Sequence, residues 1–220
     1  MKKAILVLAV CTAFSAAAEA QNWSFGAGTG AFVFGTFVKR TLITGTETGT
    51  GEQTTKLSAK TRPGVSIDLE RSLAPHWAIR LEGTFTHAPL AAKGGGSGIA
   101  LNVGTMNVAT AMLPVVFRIN PNGTFRVHLM GGPAYAEYHA EPSGTSNLRP
   151  FAGNRGRLGF AGGGGIAWQL SHTFAVEGQI TDISTSSPFE RRDFPTTGLV
   201  KITIPRTENV HTTVGIRYRF

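Results

Sequence analysis

The sequence VHTTVGIRYRF, residues 210–220, alternates between apolar and polar side chains over almost its whole length. Because successive side chains of a β-strand point to opposite faces, a strand formed here has two different faces. One face carries Val210, Thr212, Val214, Ile216, Tyr218 and Phe220, and the other carries His211, Thr213, Gly215, Arg217 and Arg219. The segment therefore predicts a strand with one apolar, aromatic-ended face and one cationic face.

The N-terminus has the pattern of a secretory signal peptide. Lys2 and Lys3 precede a mostly apolar run over residues 4–17, and residues 18–20, Ala-Glu-Ala, match a cleavage site. The apolar run is too short for a membrane-spanning helix, which needs ~20 residues. We expect a signal peptide over residues 1–20 and one domain over residues 21–220, with an uncleaved N-terminal anchor as the alternative.

Composition narrows the classes of partner. Loss of the signal removes two lysines and one glutamate, so the formal charge falls from +8 to +7. It also removes Cys11, the only cysteine, so the mature chain is expected to contain no disulfide. Export argues against nucleic acid as the partner of this basic chain and favours anionic lipid head groups or acidic sugars.

Short alternating segments recur along the chain, separated by connections whose lengths alternate. The predicted strands are residues 23–38, 59–71, 77–87, 106–119, 125–139, 157–170, 174–184 and 210–220. In the first of them, one face carries Trp23, Phe25, Ala27, Thr29, Ala31, Val33 and Phe37. Connections 72–76, 120–124 and 171–173 are short, whereas 39–58, 88–105, 140–156 and 185–207 are long and polar. Short turns at one end and long loops at the other are typical of an outer-membrane barrel.

Aromatic residues gather where these strands meet the short turns. The set comprises Trp23, Trp77, Phe125, Trp168, Phe174, Tyr218 and Phe220. Amphipathic rings favour a membrane interface, so this belt indicates a girdle. In lipid only a closed sheet satisfies every backbone group. We therefore predict an all-β fold, a transmembrane antiparallel up-and-down 8-stranded β-barrel with lipid outside and polar side chains in the lumen.

The chain resembles the small outer-membrane β-barrel family of Gram-negative bacteria, the OmpA/OmpX-type porin-like barrels. The resemblance is carried by GAGTG at residues 26–30, GGPAY at 131–135 and VGIRYRF at 214–220. It implies an outer-membrane location and insertion by the barrel assembly machinery. It also implies that Tyr218 and Phe220 form the signal which that machinery reads.

Charged residues on the predicted inward face must be paired, since an isolated buried charge is costly. The set is Asp68, Glu70, Arg80, Glu82, Arg126, His128, Glu177, Arg217 and Arg219. We predict a lumen charge network in which Glu82 and Glu177 oppose Arg80, Arg126 and Arg217. Such a network either plugs and gates the barrel or only fills it.

The last long loop contains FERRDF at residues 189–194. Its arginines, Arg191 and Arg192, form a candidate surface patch for lipopolysaccharide phosphates or a partner protein. The alternative is a solvated loop tip.

These features predict a non-enzymatic outer-membrane protein with a structural or surface-interaction role through its loops. A narrow gated porin-like channel for small solutes is the alternative, and a lipid A-modifying enzyme is a distant one. The six histidines show no metal-binding spacing, so we expect no metal or cofactor. No matching serine–histidine–acid triad is found, which argues against an enzyme. The expected partners are outer-membrane lipid and lipopolysaccharide, the assembly machinery and an extracellular ligand, with no nucleic acid.

Overall fold

The structure is a computed structural model that describes residues 22–46, 49–94, 100–143, 154–194 and 200–220. The predicted signal peptide lies outside these residues. None of the helices in the described ranges is long and apolar enough to cross a membrane. The strands are β1 (Trp23–Phe34), β2 (Thr36–Thr46), β3 (Gly49–Ala59), β4 (Arg62–Ser72), β5 (Trp77–Gly94), β6 (Ala100–Met112), β7 (Val115–Arg118), β8 (Phe125–Pro142), β9 (Asn154–Gln169), β10 (Phe174–Ser186), β11 (Val200–Thr203) and β12 (Arg206–Arg219).

The wall closes as an antiparallel ring of eight positions. β1 pairs with β4, followed by β5, β6 with β7, β8, β9, β10 and β12, and β12 pairs back to β1. β6 and β7 share one position, interrupted at Leu113 and Pro114, because proline has no N–H to donate. The N–H of Phe220 donates to the carbonyl of Trp23 at 3.0 Å. The predicted eight-stranded antiparallel barrel is confirmed.

The two faces of the wall have the expected polarity along most of its height. On β5, Leu81 and Phe85 are 54% and 48% exposed, whereas Arg80 and Glu82 are 2% and 3% exposed. Alternate residues of one strand therefore present an apolar outer surface and a charged interior. We call the end with short turns the turn end and the opposite end the loop end.

The side that carries apolar residues changes along β5 near the loop end. Beyond Phe85, it is the inward Ala88 and Leu90 that are apolar and buried, while His87 is exposed. These inward residues belong to an apolar cluster that fills the loop end of the lumen. Its buried members are Phe32, Phe34, Phe37, Val38, Leu57, Ala59, Ala88, Leu90, Met106, Val108, Ala136, Tyr138, Ala140, Phe189 and Phe194.

Phe37 belongs to this cluster, although alternation predicts it on the outward face of the first strand. It is 0% exposed. The first predicted strand divides into β1 and β2, and the pairing of β2 with β3 shifts at a bulge between Thr36 and Val38. Phe37 is the extra residue of this bulge and has no partner on β3, so its side chain lies on the same side as that of Val38, inside the apolar cluster. The outward assignment of Phe37 is therefore wrong.

The predicted first loop, residues 39–58, is a β-hairpin rather than irregular chain. β2 pairs with β3, β3 pairs with the end of β5, and β11 pairs with the outer edge of β2. We call β11, β2, β3 and the adjoining end of β5 the extracellular sheet, because long connections are extracellular in barrels of this class. The alternation of apolar and polar residues does not predict this hairpin, because threonine and glycine dominate its sequence. It is held in place by Val38 and Leu57, which pack in the apolar cluster.

Candidate functional site

A network of charged side chains crosses the lumen at the level of Arg80. Its Nη2 lies 2.7 Å from Glu70 Oε2, and its Nη1 lies 2.8 Å from Glu177 Oε1. Nη1 also donates to Gln179 Oε1 at 2.6 Å. All four side chains are buried. Because charge-assisted hydrogen bonds are the strong ones, Arg80 ties β4, β5 and β10 together across the barrel.

Arg217 extends the network to the closing strand. Its Nη1 lies 2.8 Å from Asp68 Oδ1, and its Nε donates to Glu177 Oε2 at 2.5 Å. Arg118 donates to Glu70 from the other side. Glu177 thus pairs with two arginines and Glu70 with three, so the arrangement is one connected network and not a set of separate pairs.

Of the five residues predicted for the network, the structure brings three together: Arg80, Glu177 and Arg217. Glu82 instead accepts from Gln179 Nε2 at 3.0 Å and contacts Arg80 only through that amide. Arg126 donates to the backbone carbonyl of Gly123 at 3.3 Å. It lies beside the 120–124 turn, too near the turn end to meet a carboxylate, and it makes no ion pair within the described residues.

The remaining members of the network, Asp68, Glu70, Arg118 and Gln179, are absent from the predicted pairing. The inward face of β4 is readable from alternation, but its partners depend on register. Glu70 lies directly opposite Arg80 and Asp68 directly opposite Glu82. Arg118 falls in the mostly apolar fourth strand, whose alternation gives no face.

Little space remains around this network. Two recesses in the lumen have volumes of about 30 and 20 Å³. Because a single water needs ~10–15 Å³, each recess has room for a few waters at most. Towards the loop end, Tyr138 Oη is bonded to Thr185 Oγ1 at 2.9 Å and accepts from Asn209 Nδ2 at 3.0 Å. The described interior is therefore closed by charged pairs at one level and by apolar packing at the next.

The predicted aromatic belt lies at the turn end, and its rings pair between neighbouring strands. Phe125 stacks on Trp168 with centroids 5.8 Å apart, and Phe174 contacts Tyr218 at 5.0 Å. Tyr218 in turn meets Phe220 at 5.0 Å. Phe117, which the sequence pattern does not single out, extends the belt by packing on Trp77 at 4.8 Å. The recognition role of Tyr218 and Phe220 stays a prediction.

This belt predicts where the tryptophans sit in a bilayer. Trp23, Trp77 and Trp168 all lie at the turn end. Lipids brominated near the carbonyl end of the acyl chain should therefore quench tryptophan emission more strongly than lipids brominated near the methyl end. The measurement is steady-state fluorescence of the refolded protein in each vesicle. Stronger quenching by the methyl-end label would contradict the girdle.

The predicted surface patch lies in a folded segment of the last loop. A short 3₁₀ helix spans Arg191–Asp193, and the flanking Phe189 and Phe194 are buried in the apolar cluster. Arg155 contacts Asp193 at 2.8 Å and Arg157 contacts Glu190 at 3.0 Å, so both acidic residues are bound to β9. Arg191 is exposed, and the side chain of Arg192 lies outside the described residues.

The described residues contain no group of three His, Cys, Asp or Glu side chains that could hold a metal ion. Ser171 and His172 lie in a turn, where Ser171 Oγ accepts from the N–H of Phe174 at 3.1 Å. This hydroxyl serves the turn itself.

A closed antiparallel wall with an apolar outside, a charged interior and an aromatic girdle defines a transmembrane β-barrel. The chain belongs to the outer membrane protein beta-barrel domain family, whose family model matches residues 4–220. Its location is the outer membrane.

Solved structures show the same fold. The outer membrane protein OprG from Pseudomonas aeruginosa has a TM-score of 0.56 at 14% identity, covering 91% of this chain and 97% of that chain. Neisserial surface protein A has a TM-score of 0.53 at 6% identity, covering 90% of this chain and 97% of that chain. No curated protein matches the sequence. At these identities the similarity concerns the fold alone.

Proposed function

We propose that this protein is a non-conducting, non-enzymatic barrel that presents an ordered surface outside the outer membrane. The observation that carries the proposal is the contrast between the two parts of the molecule. The lumen is filled by the Arg80 network and the apolar cluster, whereas the wall continues outward into the extracellular sheet. A lumen filled at both levels, by the Arg80 network and by the apolar cluster, favours a structural role over transport. A hydrogen-bonded extracellular sheet favours contact with a partner.

The anchoring of the last loop supports the same role. Phe189 and Phe194 pack inside the apolar cluster, and two arginines of β9 hold the acidic residues between them. Binding surfaces that are already ordered lose less conformational entropy when a partner binds. The loop end is therefore suited to recognition without folding on contact.

Single-channel recording tests the proposal. We expect refolded protein to give no resolved conductance steps in a planar bilayer under either polarity of voltage. Insertion is verified separately by counting fluorescently labelled molecules in the same membrane. Discrete conductance from a correctly folded barrel would contradict the proposal and favour a channel.

A narrow gated channel is the second candidate, and one contact favours it. Gln179 accepts a hydrogen bond from Arg80 and donates one to Glu82. The Glu82 carboxylate therefore lies near Arg80 as a possible second partner beside Glu177. A shift of Arg80 from Glu177 towards Glu82 would rearrange the barrier. Under this alternative, Glu82→Gln should lower the frequency of channel openings. Under the main proposal, neither the wild type nor the Glu82→Gln variant gives conductance steps.

A further inference from the structure

Three lysines form a row across the extracellular sheet. Lys39 on β2 lies directly opposite Lys56 on β3, and Lys56 lies directly opposite Lys93 on β5. Neighbouring strands are ~4.8 Å apart, so the three Cα atoms of the lysine row span roughly 10 Å along one line. Directly opposed like charges destabilise a sheet. Structural needs alone therefore do not explain the lysine row.

The row is exposed and uncompensated. Lys39, Lys56 and Lys93 are all exposed, and within the described ranges none of them forms an ion pair. Lys201 on β11 is also exposed and lies opposite Thr41, two residues from Lys39 on β2. The surface thus has a concentrated positive charge that is available to an anionic ligand.

The face that carries the row looks sideways, away from the barrel axis. On β5, Lys93 follows the same alternation as the outward Leu81 and Phe85, while Leu90 points inward to the apolar cluster. Leu57, between Lys56 and Ser58 on β3, likewise packs inward. The lysine row therefore faces the molecules that surround the barrel in the outer leaflet.

The distance of the lysine row from the hydrocarbon layer distinguishes phospholipid head groups from lipopolysaccharide sugars as its ligand. Lys93 lies eight residues beyond Phe85, the last large hydrophobic side chain that β5 exposes. With a rise of ~3.3 Å per residue and a tilt of ~40°, the row stands roughly 20 Å above that level. The head-group layer adds only ~5–8 Å on each side of the hydrocarbon. Phospholipid head groups do not reach the row, whereas the sugar layer of lipopolysaccharide does.

We propose that the lysine row binds the phosphate and carboxylate groups on the core sugars of neighbouring lipopolysaccharide. This inference rests on the proposed surface-interaction role and names its partner. An ammonium row at the spacing of adjacent strands can contact several anionic groups of one sugar chain together. Because the lysines lie on three different strands, the bound sugars bridge the hairpin to the barrel wall.

The test is a titration of detergent-solubilised protein with fluorescently labelled rough lipopolysaccharide, followed by anisotropy. Each lysine near an anionic surface contributes ~1 kcal/mol, so Lys39→Gln, Lys56→Gln and Lys93→Gln together should weaken binding about 100-fold. The same lipopolysaccharide stripped of its core phosphates should bind the wild type weakly. The triple Lys→Arg variant should retain binding.

Single substitutions give a charge-matched control. Lys56→Gln removes the central charge of the row, and Arg71→Gln removes one exposed charge at the turn end, opposite Trp23. We expect Lys56→Gln to weaken binding more than Arg71→Gln. Heat-modifiable migration on gels identifies folded variants, and only these are titrated. If the triple Lys→Gln variant folds and binds phosphorylated lipopolysaccharide as tightly as the wild type, the proposal is overturned.

A soluble polyanion is the competing partner. Heparin serves as the probe, and loss of heparin binding with retention of lipopolysaccharide binding in the triple Lys→Gln variant would overturn the proposal. The two proposals also fail separately. A conducting barrel whose lysine row binds lipopolysaccharide overturns the non-conducting role alone, whereas a silent barrel without this binding overturns the lysine row alone.

Discussion

The variant Arg80→Ala is expected to lose about 3–5 kcal/mol of unfolding free energy. Arg80 is 2% exposed and contacts Glu70 and Glu177 at 2.7 and 2.8 Å. When the Arg80 guanidinium is removed, Glu177 still contacts Arg217. The interior nevertheless loses one of the cations that neutralise the carboxylates of Asp68, Glu70 and Glu177. The cost is that of buried negative charge left without compensation. Urea unfolding in phospholipid vesicles, followed by tryptophan fluorescence, measures it.

Arg126→Ala is the matched control because it removes the same side chain from the same lumen. Arg126 contacts only a backbone carbonyl at 3.3 Å and makes no ion pair in the described structure. Its loss should cost no more than about 1.5 kcal/mol, the upper range for an ordinary hydrogen bond. Equal losses for the two variants would mean that the network contributes nothing beyond lumen packing.

The second large effect is expected for Phe37→Ala, at about 3–5 kcal/mol. Phe37 is 0% exposed and meets the rings of Tyr138 and Phe189 at 6.2 and 5.9 Å. Truncation leaves a cavity where β2, β8 and the last loop converge. The same urea unfolding assay reports the loss.

A surface residue at similar height provides the comparison for Phe37. Leu101 on β6 is 65% exposed and lies opposite Ala92, beyond the outward apolar band of β5. Leu101→Ala should change the unfolding free energy by no more than about 0.5 kcal/mol. If Phe37→Ala were as mild as Leu101→Ala, the apolar cluster would not be a core, and the closed-lumen basis of the proposed function would weaken.

Alternation and turn length were enough to predict the barrel because both follow from local chain geometry. A period of two assigns each side chain to lipid or lumen, as for Leu81 and Arg80. The same reasoning fails at Phe37, because the bulge adds a residue that has no partner on β3 and faces the lumen. It also misses the β2–β3 hairpin, since this segment's sequence is mostly threonine and glycine, and its stability comes from contacts with distant residues such as Leu90.

The sequence predicts most of the charged residues that line the lumen, but not which of them contact each other. Alternation identifies Arg80 and Glu177 as inward residues, yet the partner of each charge depends on which residues share a level. Strand register and tilt set that level, and neither is encoded locally. Thus Glu70, opposite Arg80, takes the role assigned to Glu82, and Gln179 stands between Arg80 and Glu82.

The change of apolar side along β5 has a consequence for how the barrel sits in the bilayer. Below His87 the strand hides its charges and exposes its hydrocarbon, and above it the reverse holds. Sliding the barrel outward would place Leu81 and Phe85 in water, and sliding it inward would place Lys93 and His87 in hydrocarbon. Both displacements are unfavourable. The exchange of apolar and polar character between the two faces of β5 therefore fixes the depth of insertion without any anchor outside the wall.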